Sequence, residues 1–310
     1  MSRLFEALQK TENALPEADA EVLTGVLAGD GVLAADDVAA KQTRPEQSAA
    51  SVPSLRTPEV EASVNLGFRT VPVRIQAASP VLPFDGVSSK YIEQYRIIRT
   101  KIGNHPLKPV TIAITSACSG DGKTINSINL AAALSLKAGT TVLLVDGDLR
   151  RSNVANLLGI EESPGLTDVL SGTASLQSAI VRLEQFPNCF VLPAGTPKAN
   201  PPELLDSNQW HALAESLRQT FAHVIIDTPP IDTVTDYDLI ETVSDGVVVI
   251  ARMEHTNRAA IKKALQRIPA SKLLGVVVNN VAEWFLFKVH GKYHYDYYED
   301  YQASSGRSAK

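Results

Sequence analysis

The stretch ITSACSGDGKTINSINLAAAL, Ile114 to Leu134, decides the fold, because it passes from a short apolar strand through a small-residue loop into a helical pattern. Its middle fits the phosphate-loop spacing G-x-x-x-x-G-K-[ST], with Ala117 at the first glycine position and Lys123 and Thr124 at the end. Backbone N–H groups and the start of the following helix would offer donors to phosphate oxygens, and the threonine hydroxyl could bind Mg²⁺. The alternative is a glycine turn with an exposed lysine.

Acidic residues end two other apolar runs. VLLVDGDLRR contains Asp146 and Asp148, whose two-residue spacing can aim both carboxylates toward one site. VIIDTPP contains Asp227, at the usual place for the acid that holds magnesium through water. A lone aspartate at a strand end is more often a cap or a turn residue. Three of them beside a GKT loop favour a metal ligand and a candidate base.

The strand candidates predict the fold class. They are TIAITS, TVLLVD, CFVLPAG, HVIIDT, GVVVIA and GVVVNN. Helical patterns lie between most of them, which indicates an α/β fold with a mostly parallel sheet and helices on both faces, of the P-loop NTPase type. Ligands in such sheets bind at the carboxyl ends of the strands.

Composition excludes some classes of protein. The chain has 310 residues, a net charge of -5 and a pI near 5.7, which argues against a broad nucleic-acid-binding surface. It contains two cysteines and no leader-like N-terminal pattern, so we expect a reduced, cytoplasmic setting. No apolar run approaches the roughly 20 residues that a membrane helix needs, so we expect no transmembrane segment.

Four regions differ in composition. Residues 1–15 predict a short amphipathic docking helix, for which a frayed tail is the alternative, and residues 16–83 predict a flexible tether. Residues 84–285 form the predicted P-loop domain, and 286–310 form a tyrosine-rich tail. The tail tyrosines are Tyr293, Tyr295, Tyr297, Tyr298 and Tyr301. They are candidate phosphoacceptors on a flexible arm. The alternative is a sticky amphipathic tail or a partner-binding strand.

The motifs together resemble the Walker A, A' and B motifs of the bacterial tyrosine kinases (BY-kinases), P-loop kinases of polysaccharide export. GLTDVLSG (165–172), AGTPKANPPELLDS (194–207), Asp236, Arg252 and Thr256 continue the resemblance. Ser119 departs from it, because the family commonly has proline there. SSKYIEQYRIIRTKI predicts a helix with an apolar stripe of Tyr91, Tyr95, Ile98 and Ile102. Within it, EQYRIIRT matches the family's E-x-x-R-x-x-R motif of a ring interface, here Glu93, Arg96 and Arg99.

The resemblance implies an ATP-dependent tyrosine autokinase that phosphorylates its tail in trans. It implies nucleotide contacts from Ser119, Gly120, Asp121, Gly122, Lys123, Thr124, Ile125 and Asn279. For Asn279, a turn-forming role is the alternative. Thr124, Asp146 and Asp227 would fix Mg²⁺, with no other metal. Lys123 would bind the β- and γ-phosphates, and either Asp148 or Asp146 would accept the tyrosine proton.

The resemblance also implies partners. These are a membrane-spanning polysaccharide co-polymerase or activator that recruits the chain to the inner face of the plasma membrane, a protein-tyrosine phosphatase, and further copies in a ring, possibly an octamer. Two alternatives stay open. One is a partition-type ATPase switch, although Cys118 stands where that class has its signature lysine. The other is a nucleotide-binding scaffold without kinase activity.

Overall fold

The computed structural model describes residues 67–75, 79, 81, 90–232 and 234–281. The predicted N-terminal helix, most of the predicted tether and the tyrosine-rich tail lie outside the described residues. The strands are β1 (Arg69–Val71), β2 (Thr111–Ser116), β3 (Val142–Asp146), β4 (Val181–Leu183), β5 (Phe186–Leu192), β6 (His223–Asp227), β7 (Gly246–Arg252) and β8 (Leu273–Asn279). The helices are α1 (Lys90–Asn104), α2 (Lys123–Ser135), α3 (Val154–Leu158), α4 (Leu166–Leu170), α5 (Leu176–Ala179), α6 (Pro201–Leu205), α7 (Asn208–Thr220), α8 (Asp236–Thr242) and α9 (Arg258–Arg267), followed by a 3₁₀ turn (Ala270–Lys272).

The strands form one eight-stranded sheet in the order β1-β4-β5-β3-β6-β2-β7-β8. All pairs are parallel except β4 with β5, which confirms the predicted mostly parallel α/β fold. β2 lies near the middle, between β6 and β7, and β6 lies between β2 and β3. The carboxyl ends of β2, β3 and β6 therefore meet at one edge of the sheet, where the sequence places the glycine loop and the acids.

Two apolar cores cover the two faces of the sheet. On one face, Trp210 and Leu217 of α7 and Ile261 of α9 pack with the strands. On the other face, α2 packs with α1, and its Ala131 and Ala133 are fully buried. Strands buried on both faces have to be apolar throughout, which explains runs such as VLLVD and VIID. None of the helices in the described ranges combines the length and the apolar character that crossing a membrane requires.

The expected tether needs a correction at its C-terminal end. Residues 69–71 form strand β1, which pairs with β4 at the edge of the sheet. The chain continues along α3, where the N–H of Arg74 donates to the carbonyl of Leu158 at 2.8 Å. A side chain at Gly159 would meet the Arg74 carbonyl at 2.6 Å, so only glycine allows this approach. The strand was missed because it is three residues long and its hydrogen bonds come from distant segments.

Helix α1 also differs from its predicted apolar stripe. Its buried side chains are Ile92 and Ile102, with Tyr95 and Ile98 packed against the same core. Tyr91 is 54% exposed, so the stripe begins one residue later than predicted. With a period of 3.6 residues, either position 91 or position 92 can lie on the same helix face as positions 95 and 102. Contact with α2 buries position 92 rather than position 91.

Candidate active site

The glycine loop runs from Ala117 to the first turn of α2, as predicted. Gly120 has a φ of 86° and Gly122 a φ of 92°, a backbone region that glycine adopts without steric cost. A Cβ at Gly122 would lie 2.2 Å from Nδ2 of Asn279. The second glycine of the motif is therefore required by both the backbone conformation and the available space.

The loop exposes a row of unused hydrogen-bond donors. Within the described ranges, the N–H groups of residues 119–124 have no hydrogen-bond partner. The last two of these residues open α2, which adds the positive end of a helix dipole. The side chain of Lys123 is buried, and its ammonium forms no ion pair with the described residues. Unpaired amides beside an unpaired buried cation make an anion site of the kind that binds a polyphosphate.

The acids predicted from the strand ends lie side by side. Asp146 and Asp227 are register partners at the ends of β3 and β6, and both are buried. Asp227 accepts hydrogen bonds from the hydroxyls of Thr124 at 2.7 Å and Ser127 at 2.9 Å. The site thus joins the glycine loop, helix α2 and two neighbouring strands.

Asp146 is satisfied on one oxygen only. Its Oδ2 accepts the N–H groups of Asn153 and Val154, each at 3.1 Å, at the start of α3. Its Oδ1 is buried and has no hydrogen-bond partner among the described residues. An unpaired carboxylate oxygen in a buried position needs a proton or a cation to offset its lost hydration.

The carboxyl pair is correspondingly hard to ionise. Burial raises the pKa of Asp146 to about 8, and the neighbouring charges of Asp227 and Asp148 add to this rise. Burial also raises the pKa of Asp227 to about 6, whereas the charge of Lys123 and the hydroxyls of Thr124 and Ser127 lower it. The pKa of Asp146 is the higher of the two because the Lys123 charge and the two hydroxyls act on Asp227. Without a cation, the pair holds a proton near neutral pH.

Asp148 lies in the turn after β3 and is buried. Its Oδ1 accepts the N–H of Arg151 at 3.1 Å, and its charge acts on both Asp146 and Asp227. Next to it, Arg150 forms a two-bond ion pair with the fully buried Asp236 at 2.9 and 3.2 Å. This pair attaches the turn to helix α8 and so fixes the position of Asp148.

The oxygen ligands fit magnesium. Mg²⁺ prefers hard oxygen ligands and usually combines one or two carboxylates with phosphates and water. The unpaired Oδ1 of Asp146, the Asp227 carboxylate and the Thr124 hydroxyl supply such ligands. In the described part of the chain, no group of three or more His, Cys, Asp and Glu side chains is arranged to hold a metal alone.

Other residues predicted for the site have contacts of a different kind. Asn279 donates from Nδ2 to the carbonyl of Asp121 at 2.9 Å, so it touches the loop, and its predicted contact with the nucleotide stays a prediction. The carboxylate of Asp121 is fully buried, and the side chain of Ile125 packs against the core. Ser119 and Gly120 lie exposed on the loop. Asp121 can reach a ligand only through its backbone N–H group, because its side chain is fully buried.

The predicted interface residues lie on helix α1. Glu93 and Arg96 form an ion pair with each other, and Arg99 donates to the carbonyl of Ala133 in α2 at 3.2 Å. Their role between copies of the chain stays a prediction. The five predicted phosphoacceptor tyrosines, Tyr293 to Tyr301, lie outside the described residues.

Ser127 and Thr256 are two contributors that the sequence did not identify as site residues. Ser127 binds Asp227, and Thr256 binds the loop residue Asp121 at 2.7 Å. The signal for Ser127 is weak but real, because it follows Lys123 by four residues and so lies on the same face of an otherwise alanine-rich helix. Nothing in the local sequence of Thr256 indicates its contact, which spans 135 positions.

Known proteins resemble this chain throughout the site. A family model described as an AAA domain matches residues 110–273, more than half of the chain. Tyrosine-protein kinase CpsD of Streptococcus pneumoniae serotype 4 is 37% identical over 192 residues, 61% of this chain and 84% of that protein. Tyrosine-protein kinase ptk of Acinetobacter johnsonii is 33% identical over 236 residues, 75% of this chain, which spans 31% of that longer protein. The kinase domain of Escherichia coli tyrosine kinase ETK superposes with a TM-score of 0.59 at 25% identity, covering 69% of this chain and 91% of that domain.

Proposed function

The chain belongs to the bacterial tyrosine kinase family, and we propose that it is an ATP-dependent autokinase that phosphorylates the tyrosines of its own tail in trans. One observation carries the catalytic part of this proposal: the unused amides of residues 119–124 lie at the same sheet edge as the buried Asp146–Asp227 pair. A polyphosphate donor and its cation need these two features together.

Nucleotide binding follows from the loop. The amides of residues 119–124 bind the phosphate oxygens of ATP, and Lys123 adds its charge at the β- and γ-phosphates. The Thr124 hydroxyl and the carboxylates of Asp146 and Asp227 are the groups that would hold the cation, directly or through water. When bound, Mg²⁺ would neutralise part of the negative charge of the phosphates.

The transfer step needs few further groups. The tyrosine oxygen attacks the γ-phosphorus, the bond to the bridging oxygen breaks, and ADP leaves. Asp148 accepts the phenolic proton, because it lies next to the metal-binding pair without belonging to it. Asp146 is the alternative acceptor. Tyrosine has a pKa near 10, so proton transfer to a neighbouring carboxylate late in the reaction is chemically reasonable.

Five tyrosines at Tyr293, Tyr295, Tyr297, Tyr298 and Tyr301 are the proposed acceptors. Phosphorylation within one chain and phosphorylation between two chains can be distinguished by mixing two variants. The acceptor variant is Lys123→Met, which keeps all five tyrosines. The donor variant has phenylalanine at all five positions and keeps Lys123.

Peptide mass spectrometry of the mixture with Mg²⁺ and ATP tests transfer in trans. We expect phosphate on the tail of the Lys123→Met protein in the mixture and on neither variant alone. Phosphorylation of wild type alone, with none in the mixture, would contradict transfer in trans while leaving the kinase activity intact.

The regulatory part of the proposal rests on the family resemblance. We propose that the kinase works as a ring, with Glu93, Arg96 and Arg99 at the contact between copies. A membrane-spanning polysaccharide co-polymerase would activate it and recruit it from the cytoplasm to the inner face of the plasma membrane. A protein-tyrosine phosphatase would reverse the modification. The cycle would regulate the polymerisation and export of an exopolysaccharide or capsule.

A nucleotide-dependent scaffold is the second candidate. It would use the same loop and acids but leave the tail unmodified. One result distinguishes the two candidates. A kinase that binds Mg²⁺-ADP also transfers phosphate from Mg²⁺-ATP to tyrosine when the cytoplasmic segment of a candidate membrane-spanning activator is present, and a scaffold does not. Tight nucleotide binding without any such transfer would favour the scaffold over the kinase.

A further inference from the structure

Four consecutive carbonyl oxygens of the phosphate loop accept hydrogen bonds from side chains of the protein. Those of Cys118, Ser119, Gly120 and Asp121 are bonded, in that order, to Ser116 Oγ at 2.7 Å, His255 Nε2 at 3.0 Å, the Arg252 guanidinium at 3.3 Å and Asn279 Nδ2 at 2.9 Å. A loop that binds an anion has to turn its carbonyl oxygens away from it, because they would repel a phosphate. Side-chain donors behind the loop therefore support the orientation in which its N–H groups face the ligand.

The carboxylate of Asp121 forms a hydrogen bond within the loop and another to Thr256 outside it. Its carboxylate is fully buried, and each oxygen has one strong donor. Oδ2 accepts the N–H of Cys118 at 2.9 Å, and Oδ1 accepts the hydroxyl of Thr256 at 2.7 Å. A buried carboxylate that loses a donor pays a large desolvation penalty, so the position of Asp121 depends on Thr256. If Asp121 moves, the 118–121 turn moves with it.

Thr256 is itself fixed to the sheet. Its Oγ accepts the N–H of Arg252 at 2.8 Å, and its own N–H donates to the Arg252 carbonyl at 2.9 Å. Arg252 ends β7, which pairs with β2, the strand that leads into the loop. The hydroxyl accepts one hydrogen bond and donates another, so it connects the rigid sheet to the loop. Serine can do the same, whereas valine has the shape of threonine but neither hydrogen bond.

We propose that Thr256 is a positioning residue of the nucleotide site, which holds the phosphate loop in its binding conformation through the carboxylate of Asp121. This inference rests on the proposed nucleotide-binding function. Thr256 acts without touching the nucleotide, since its hydroxyl is occupied by Arg252 on one side and Asp121 on the other. Its effect therefore reaches the ligand only through the loop.

Two substitutions at Thr256 and one matched control test the inference on the full chain. Thr256→Val removes both hydrogen bonds of the hydroxyl, and Thr256→Ser keeps them. The control is Thr167→Val, because Thr167 is equally buried and donates to the carbonyl of Thr196 at the same 2.7 Å, away from the loop. Isothermal titration calorimetry with Mg²⁺-ADP gives the affinity, and hydrogen exchange of nucleotide-free protein gives the protection of residues 117–124.

We expect Thr256→Val to raise the Kd for Mg²⁺-ADP about tenfold and to speed exchange across residues 117–124. Thr256→Ser should stay within about twofold of wild type, and Thr167→Val should lose thermal stability but keep wild-type affinity. Unchanged affinity and unchanged exchange in Thr256→Val would overturn the inference, as would an equal loss of affinity in Thr167→Val. Failure of the wild type to bind Mg²⁺-ADP would instead contradict the proposed function, and the exchange data on nucleotide-free protein would still decide the role of Thr256.

Discussion

Replacing Asp146 by asparagine should stabilise the nucleotide-free protein while removing its response to magnesium. Asp146 and Asp227 are buried register partners, and Oδ1 of Asp146 has no partner among the described residues. An asparagine oxygen can still accept the N–H groups of Asn153 and Val154. Its amide group adds a donor for Asp227 where a second carboxylate stood. The substitution therefore removes a repulsion and keeps the hydrogen bonds.

The magnitude follows from the pKa of Asp146. Burial raises this pKa from 3.8 to about 8, so between these values the native state binds more protons than the unfolded state. The free energy of unfolding then falls as pH rises from about 4 to about 8, because proton release is resisted only in the native state. At about 1.36 kcal/mol per pH unit, the interval from pH 3.8 to pH 7 limits the stability lost through Asp146 to about 4 kcal/mol. We expect Asp146→Asn to recover about 1–3 kcal/mol of it at pH 7.

Urea unfolding of nucleotide-free protein in EDTA at pH 5, 7 and 8 measures this effect, and calorimetry measures Mg²⁺-dependent nucleotide binding. The control is Asp168→Asn. Burial of Asp168 opposes ionisation, but hydrogen bonds from Gly165, Thr196 and Ser163 outweigh it and lower the pKa, so stability should fall in this variant at pH 7. If Asp146→Asn were as unstable as Asp168→Asn at pH 7, or kept the wild-type loss of stability between pH 5 and 8, the account of the carboxyl pair would be wrong.

Three further predictions follow from the fold and the site. Gly122→Ala should weaken Mg²⁺-ADP binding by more than about tenfold in calorimetry, because the φ of Gly122 is 92° and a Cβ there would lie 2.2 Å from Asn279 Nδ2. Adding Asn279→Ala removes this clash and should restore part of the affinity. No restoration would show that the backbone conformation alone is responsible. A truncation starting at Gly67 should keep the wild-type melting temperature and lose recruitment to membranes, whereas one starting at 84 should melt lower because it removes β1; equal melting temperatures would contradict the role of β1. Phosphorylation adds about -1.5 to -2 charges per tyrosine beside Asp296, Glu299 and Asp300, so it should shift the oligomer to smaller species in light scattering, and an unchanged size would refute repulsion as the cause.

The sequence was sufficient to locate the parts of the site whose chemistry is local. The glycine loop carries its own spacing, and Asp146 and Asp227 each end an apolar run, so a parallel sheet was enough to bring them together. The edge strand β1 and its neighbour β4 were harder to predict. β4 (Val181–Leu183) contains an arginine, and β1 is followed by Pro72, so neither gives a recognisable strand pattern, and both are stabilised by pairing at the edge of the sheet.

The support behind the loop could not be predicted for a related reason. Thr256 and Asp121 are 135 positions apart, and Arg150 and Asp236 are 86 positions apart. Their pairing depends on the order of strands in the sheet, which a pattern of apolar residues does not specify. Thr256 and Asp236 continue the family resemblance in the sequence, but their contacts with Asp121 and Arg150 depend on the folded chain.

The most direct test of the central claim is peptide-mapped mass spectrometry of the full chain after incubation with Mg²⁺-ATP and the cytoplasmic segment of a candidate membrane-spanning activator. The Lys123→Met variant is treated in the same way as the control. The account predicts phosphate on one or more of the residues from Tyr293 to Tyr301 in the wild type and none in the variant. Unmodified tyrosines in a wild-type protein that binds Mg²⁺-ATP under these conditions would contradict an autokinase.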